Sequence, residues 1–385
     1  MDFQLTEEQK MFQSAVRGVA ERHLAADNLE RAHSPGYPLD VAKFFSEQGL
    51  MGITLPEEDG GQGGSLMDAV IAIEQVALVC PRSADVIQSG SFGPLRTFAE
   101  YATVDQKERY LAKLLKGELI IALGMTEADA GSAVTDLTTT ARPDGDGFRV
   151  SGGKVFTSNS PDADLFLVYV RFGKGIDGIG SVLMDRSMAG FTLGQPSKYM
   201  NGEDWCALYF DDVYIPTENV LLGPGGFKKQ IAGFNAERIG NTARSLAVGE
   251  FAYNLAREHA LTRKQFGRPL CEFQGIQWKF ADMKVQIEAG RLLLYRAAIN
   301  ADKGLPSAED TSIAKAFCNK AGFDICNEAM QVMGGTGYSQ ESLIEYCFRK
   351  SRGWQIAGGS TEMMKNRIAE TVFERRFSQR PPKSS

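Results

Sequence analysis

The chain has 385 residues, of which 43% are hydrophobic and 23% charged, a composition that excludes disordered and fibrous classes and allows two or three packed domains. Its formal net charge of −6 argues against nucleic acid as the main partner, because phosphate binding requires a basic face. No apolar run reaches the length of a membrane span and no basic leader opens the sequence, so we expect a cytoplasmic protein without membrane insertion.

Three regions of different periodicity follow one another along the chain. Residues 1–119 show helical periodicity, starting with a capping box of Thr6 and Gln9, and further helices are predicted near 39–48, 65–79, 93–101 and 104–115. In residues 120–225 short alternating strands, at 148–151, 165–171, 180–185 and 207–215, predict a small β-barrel or sandwich. Residues 226–385 return to long helices, at 236–262, 273–303, 307–333 and after 361, which predict a bundle.

The predicted fold class is therefore α+β with three domains: an N-terminal helical domain, a middle β-barrel and a C-terminal four-helix bundle. The six cysteines and three histidines are scattered without the spacing of metal ligands, so no metal site is predicted. At this level the pattern indicates a multidomain enzyme of undefined class.

Six short strings carry the chemical information. MTEADAGS occupies residues 125–132 and KVFTSN residues 154–159, followed by RKQFG at 263–267, QGIQ at 274–277, QVMGGTGY at 331–338 and GGSTE at 358–362. Each string alone is compatible with an ordinary turn, a solvated helix charge or a glycine-capped helix end. Their joint order and spacing resemble the acyl-CoA dehydrogenase family over essentially the whole chain. The resemblance implies an FAD-dependent flavoprotein that removes a Cα proton from an acyl-CoA thioester while a hydride leaves Cβ for flavin N5.

The resemblance also implies which residues contact FAD. They are Met125, Thr126, Phe156, Ser158, Arg263, Gln265, Phe266, Gln274, Gln331, Gly334, Gly335, Ser360 and Glu362. Thr126 and Ser158 would face the polar edges of the flavin ring, and Phe156 would lie beside it. Arg263 and Gln265 would grip the pyrophosphate across a subunit boundary, because the arginine fork matches phosphate oxygens. Such a reach between subunits implies a homotetramer.

The catalytic base departs from the usual pattern of this family. The usual base is a glutamate just before a Gly-Thr or Gly-Ser pair near the C-terminus, and Gly358 occupies that position. Family members that act on long-chain and isovaleryl thioesters carry the base at the start of the first long C-terminal helix, directly before an arginine. Glu237 precedes Arg238 in that place and is the predicted base, although a first-turn position would oppose the rise in pKa expected from burial. A plain helix N-terminal acid is the alternative interpretation of Glu237.

Substrate contacts are expected from Ser132, Arg82, Arg238 and the backbone N–H of Gly358, which by resemblance bonds the thioester oxygen. The string PRSA at 81–84 resembles the glutaryl-CoA dehydrogenase branch, in which the matching arginine binds a distal carboxylate. A salt-bridged structural arginine is the alternative interpretation of Arg82. Ala133 and the string GEDWC at 202–206 depart from the common family pattern near the acyl entrance, so straight-chain specificity is not assumed.

The sequence therefore predicts α,β-dehydrogenation of an acyl-CoA, including acyl chains with a distal anion, with an electron-transferring flavoprotein as electron acceptor. Two alternatives stay open. One is a flavoenzyme of the same fold with altered chemistry, either an enoyl-CoA reductase or a sulfinoacyl-CoA desulfinase. The other is a non-catalytic acyl-CoA binder, against which the retained flavin strings argue.

Overall fold

The computed structural model describes residues 4–301 and 304–380, in which a helical region, a sheet region and a second helical region follow one another. The helices of the first region are α1 (Glu7–Leu24), α2 (Asn28–His33), α3 (Leu39–Glu47), α4 (Leu66–Ala77), α5 (Ala84–Ser91), α6 (Pro94–Tyr101) and α7 (Val104–Leu115). The predicted capping box opens α1: the Gln9 N–H donates to Thr6 Oγ1 over 3.2 Å, and the Gln9 side chain accepts the Thr6 N–H. These reciprocal bonds satisfy donors that a helix start leaves free.

The middle region is one twisted sheet. Its strands are β1 (Ile121–Gly124), β2 (Thr140–Asp144), β3 (Gly147–Ser158), β4 (Leu165–Arg171), β5 (Ile179–Asp185), β6 (Phe191–Leu193), β7 (Ser197–Lys198), β8 (Asp204–Pro216) and β9 (Val220–Leu222). The order is β6-β8-β3-β2-β4-β5-β9, with β1 parallel to β4 and β7 antiparallel to β8. Register shifts between β3 and β8 bend the sheet. Because β6 and β9 do not pair with each other among the described strands, the sheet is open, and the predicted β-barrel is not confirmed.

The second helical region is dominated by three long helices. Its elements are α8 (Phe227–Thr262), β10 (Lys264–Gln265), β11 (Arg268–Pro269), α9 (Gln274–Ile299), α10 (Ala308–Met333), α11 (Gly335–Tyr338), α12 (Leu343–Gly353) and α13 (Thr361–Val372). α8 starts at Phe227, nine residues before the predicted start, and Phe227, Ile231 and Phe234 already have the i, i+4, i+7 spacing of one helix face. α12 was not predicted, and residues 302–303 at the end of one predicted helix lie outside the described residues.

The two helical regions share a core in which α4 packs against α1, α5 and α8. Gly240 allows α5 to approach α8 closely, since a Cβ there would lie 2.8 Å from Phe92 Cδ2 and 2.9 Å from Gln88 Cγ. This approach brings the side chains of α5 against the N-terminal half of α8. In residues 4–301 and 304–380, none of the helices combines the length and the apolar character that crossing a bilayer requires.

Candidate active site

The side chain of Glu237, on α8, contacts α5, and within the described part of the chain hydrogen bonds reach only one of its two carboxyl oxygens. Glu237 Oε1 accepts hydrogen bonds from Gln88 Nε2 at 2.8 Å and from Asn241 Nδ2 at 3.4 Å. Glu237 Oε2 is buried and has no hydrogen-bond partner among the described residues. One oxygen is therefore fixed in direction, while the other is available to a group from outside the chain.

Burial raises the pKa of Glu237 to about 7, even though Arg244 and the bond from Gln88 act in the opposite direction. The structure corrects one expectation here. Because α8 begins at Phe227, Glu237 is ten residues into the helix instead of in its first turn, so the helix N-terminus does not oppose this rise. A carboxyl group that titrates near neutral pH is suited to accept a proton from a weak carbon acid.

Gly358, in the turn between α12 and α13, shares a neighbour with Glu237. A Cβ at Gly358 would lie 2.9 Å from Asn241 Nδ2, the amide that also contacts Glu237. The φ of Gly358 is 68°, a conformation that favours glycine. The structure thus brings together the two chain positions at which the sequence analysis considered a base. Gly358 supplies only backbone groups there.

Arg238 is directed to the same turn, since its Nε donates to Gly358 O at 3.0 Å and its NH1 to Asn235 Oδ1 at 2.9 Å. Burial lowers the pKa of Arg238 to about 10. Ser132, in contrast, lies on an exposed loop that follows β1. Among the candidate substrate residues, Arg238 and Gly358 are therefore in direct contact, and Ser132 belongs to the sheet region.

Arg82 belongs to a buried group of charges that we call the ion cluster, formed by Arg82, Asp85, Glu203, Arg244 and Lys350. Arg82 NH1 lies 3.0 Å from both Asp85 Oδ2 and Glu203 Oε1, and Lys350 Nζ also contacts both carboxylates. Arg244 donates to Asp85 and to Gln88, which links the cluster to Glu237 through one amide. Although burial alone would raise the pKa of Glu203, Lys350 and Arg82 hold it well below its ordinary value.

The ion cluster draws on all three regions, with three cations against two carboxylates. Arg82 was predicted from the sequence as a site residue, whereas Gln88, Asn241, Arg244 and Lys350 were not. A signal existed for part of this set. Glu237, Asn241 and Arg244 are polar residues at the i, i+4, i+7 spacing of one face of α8.

The first two candidate FAD strings lie side by side, because the Val155 N–H donates to Thr126 O at 2.8 Å. The two strings are also joined by an ion pair, since Lys154 Nζ lies 2.7 Å from Glu127 Oε1, and both side chains are buried. Burial alone would raise the pKa of Glu127, but Lys154 and the hydrogen bonds at the carboxylate lower it to about 2. Phe156 is 56% exposed at the surface above this pair, with Trp205 4.7 Å from its ring centre. Met125 follows β1, and Ser158 Oγ donates to Tyr199 Oη at 3.3 Å.

The remaining FAD candidates lie on the second helical region. Arg263 caps the end of α8, and the β10–β11 hairpin that follows carries Gln265 and Phe266. All three are exposed, and Gln274 opens α9. Gln331 is near the end of α10, Gly334 and Gly335 lie at the α10–α11 junction, and Ser360 caps α13, whose first turn contains Glu362. Within the described part of one chain, no hydrogen bond, ion pair or ring contact joins the hairpin to Phe156 or Ser158.

Comparison with known proteins matches three family models in series. The acyl-CoA dehydrogenase N-terminal domain matches residues 6–118, the middle domain 122–213 and the C-terminal domain 224–373. A short-chain specific acyl-CoA dehydrogenase of Clostridium acetobutylicum is 33% identical, covering 97% of this chain and 100% of its own length. A 3-sulfinopropanoyl-CoA desulfinase of Paraburkholderia xenovorans is 32% identical, over 98% and 99%. The solved glutaryl-CoA dehydrogenase–glutaryl-CoA complex superposes with a TM-score of 0.91 at 28% identity, over 99% and 98%.

Proposed function

We propose, on the premise that this chain belongs to the acyl-CoA dehydrogenase family, that Glu237 is the base in its α,β-dehydrogenation of an acyl-CoA thioester. Glu237 Oε2 takes the proton from Cα, and the charge that develops on the thioester oxygen is met by the N–H of Gly358. Phe156, Thr126 and Ser158 would hold the flavin ring of FAD, which would supply the acceptor for the hydride from Cβ. The single observation that carries this proposal is the Glu237 carboxyl, with one oxygen held by two amides and the other without a partner.

We infer that the exposed aromatic surface of Phe156 is where the flavin ring lies. Phe156 has a φ of 56° and Phe266 a φ of 49°, backbone conformations that are costly for residues other than glycine. Both carry largely exposed rings, and Phe266 is 95% exposed. Outward aromatic rings on a strained backbone fit contacts with a molecule outside this chain. Phe156 would lie beside the flavin ring, with Thr126 and Ser158 near its polar edges.

We propose that a second copy of this chain supplies the hairpin side of each FAD site. Trp278, Val285, Leu292 and Ile299 recur every seven residues along α9 and are all exposed. A continuous apolar stripe on a long helix is typical of a helix–helix interface between subunits. Arg263, exposed at the end of α8, would then reach the pyrophosphate of the neighbouring FAD in a homotetramer. An electron-transferring flavoprotein as acceptor and a cytoplasmic location stay predictions.

A substrate with a distal anion is a second candidate, favoured by the ion cluster. Its three cations face two carboxylates, and Glu237, on which Arg244 acts, adds a third negative charge only when it is ionised. While Glu237 is protonated, one formal positive charge therefore remains in a buried place. A buried uncompensated cation favours an anionic ligand. Arg82 already bonds Asp85 and Glu203, so an acyl carboxylate or sulfinate would share this arginine with them. A desulfinase among the relatives fits the same charge requirement.

The deciding experiment is an anaerobic titration of the purified holoenzyme with neutral short acyl-CoAs, glutaryl-CoA and 3-sulfinopropanoyl-CoA, followed by the flavin absorbance. Bleaching by an acyl-CoA supports dehydrogenation and identifies the substrate class. Release of sulfite without bleaching would replace dehydrogenation by redox-neutral desulfination. Binding without bleaching or product would make the protein an acyl-CoA binder.

A further inference from the structure

Lys315, on α10, is almost fully buried and holds the turn that precedes Gly358. Its Nζ donates to Trp354 O at 2.9 Å and to Ala357 O at 3.0 Å. Asn319, one turn further along α10, donates to the same Trp354 O at 2.6 Å. Two backbone carbonyls of this turn are therefore directed towards α10 by side chains that reach them from one helix face.

The next carbonyl is held from a second helix, because Arg238 Nε on α8 donates to Gly358 O at 3.0 Å. The N–H of Gly358 has no acceptor among the described residues. The carbonyls of Ala357 and Gly358 are fixed by α10 and α8, and the Gly358 N–H between them is unbonded within the described residues. This N–H is therefore a donor of defined direction. The place of a Gly358 Cβ is 3.9 Å from Lys315 Cε, so the lysine lies directly beside this donor.

Lys315 makes no ion pair within the described part of the chain, and the acid nearest in electrostatic effect is Glu237. Burial lowers the pKa of Lys315 to about 7, with Arg238 acting in the same direction and Glu237 opposing it. A lysine kept in such a place without a salt-bridge partner is costly to the fold unless its charge or its bonds are used. A negative charge forming on a bound thioester would favour the protonated amine.

We propose that Lys315 is a positioning residue that directs the Gly358 N–H at the thioester oxygen and places a positive charge beside the enolate. The inference rests on the proposed function. When the Cα–H bond breaks, the proton goes to Glu237 and the electron pair spreads onto the thioester oxygen. Lys315 stabilises that oxygen indirectly, through the turn it holds and through its field, and does not itself exchange a proton with the substrate.

The test uses 3-thiabutanoyl-CoA, in which sulfur replaces Cβ. Bound to the oxidised holoenzyme, this analogue can lose its α-proton but cannot donate a hydride, and its enolate beside flavin gives a long-wavelength absorbance band. Lys315→Met removes both charge and donors and should shift the deprotonation equilibrium of the bound analogue roughly ten- to a hundredfold towards the neutral form. Lys315→Arg should recover most of the band. Lys320→Met, an exposed lysine on the same helix, is the matched control and should match wild type.

Lys315→Gln separates the effect of the hydrogen bonds to the turn from the effect of the positive charge, because glutamine retains amide donors but carries no charge. It also replaces Lys315→Met in the test if that variant fails to fold. A partial loss of the band is expected from it. A wild-type deprotonation equilibrium in Lys315→Gln or Lys315→Met, with wild-type flavin absorbance, would overturn the inference while leaving the proposed function standing. No band in wild type and unchanged flavin reduction in Glu237→Gln would instead overturn the proposed function, and this inference with it.

Discussion

Replacing Glu237 by glutamine removes the proposed base with little change of shape. The glutamine oxygen can accept the same bonds from Gln88 and Asn241 that Glu237 Oε1 accepts. The amide nitrogen then occupies the place of Oε2, which has no partner among the described residues. The variant should therefore fold, retain FAD and bind acyl-CoA, and yet be unable to accept the Cα proton.

Its rate of flavin reduction should fall by roughly two to four powers of ten, the usual contribution of a positioned general base. The wild-type rate should also rise with pH, because the base must be ionised. With a pKa of about 7, roughly one tenth of Glu237 is ionised at pH 6 and nine tenths at pH 8. Ionisation of Glu237 alone should accordingly increase the rate constant about tenfold between these pH values, and loss of the Lys315 charge, whose pKa is also about 7, should oppose this rise. The rising part of the profile should disappear in Glu237→Gln.

As pH rises, the stability of the wild-type protein should fall while Glu237 becomes more active as a base. An unfolded glutamate ionises near 4.5 and the folded Glu237 at about 7, so the folded state binds more protons between these values. The free energy of unfolding of the wild-type protein therefore falls as pH rises from 4.5 to about 7, and above this range it falls no further on account of Glu237. A shift of this size corresponds to an upper bound of about 3 kcal/mol. Glu237→Gln should melt at a higher temperature than wild type at pH 8, but not at pH 5.

The assay is anaerobic stopped-flow reduction of the flavin, paired with thermal melts at the two pH values. Glu258→Gln is the matched control, since Glu258 is an exposed glutamate on the same helix, and neither quantity should change. Flavin reduction at the wild-type rate in Glu237→Gln would refute the assignment of the base. A lower melting temperature of Glu237→Gln than of wild type at pH 8 would refute the conclusion that burial raises the pKa of Glu237.

Three further predictions follow from the other sites. Leu292→Glu on the exposed stripe of α9 should lower the assembly state in sedimentation and weaken FAD retention, whereas an unchanged assembly would exclude this stripe as an interface. Arg82→Ala should weaken turnover of dicarboxylyl-CoAs by about 2–5 kcal/mol more than turnover of neutral acyl-CoAs, and equal losses would make Arg82 structural. Glu127→Gln should lower the melting temperature at pH 7. Folding lowers the pKa of Glu127 from 4.5 to about 2, so the variant should lose up to about 3 kcal/mol in free energy of unfolding. Because ionised Glu127 stabilises the fold only above this window, the difference should shrink as pH falls through it.

Local chemistry explains which parts of the structure the sequence could predict. The capping box of Thr6 and Gln9 was predictable because both partners lie within one helical turn. Several helices were predicted from their apolar period, whereas α12 was not, and the predicted start of α8 was too late although Phe227, Ile231 and Phe234 have a helical spacing. An open sheet and a closed barrel have the same strand spacing, and they differ only in whether distant edges pair.

The candidate site shows the same limit. Glu237 was identified from its place before Arg238, but its surroundings depend on residues far away in sequence. Gln88 is 149 residues from Glu237, and their contact exists because α5 packs against α8. The pKa of Glu237 follows from that packing, since burial is its main cause. No pattern within a short window of sequence contains this information.

The ion cluster constrains how this protein can be recombined with its relatives. Arg82 and Asp85 come from the first helical region, Glu203 from the loop before β8, and Arg244 and Lys350 from the second helical region. A chimera that exchanges one region alone would leave a buried charge without its partner, which typically costs several kcal/mol. Exchange of specificity between homologues by swapping whole segments should therefore succeed only when these five positions are transferred as a set.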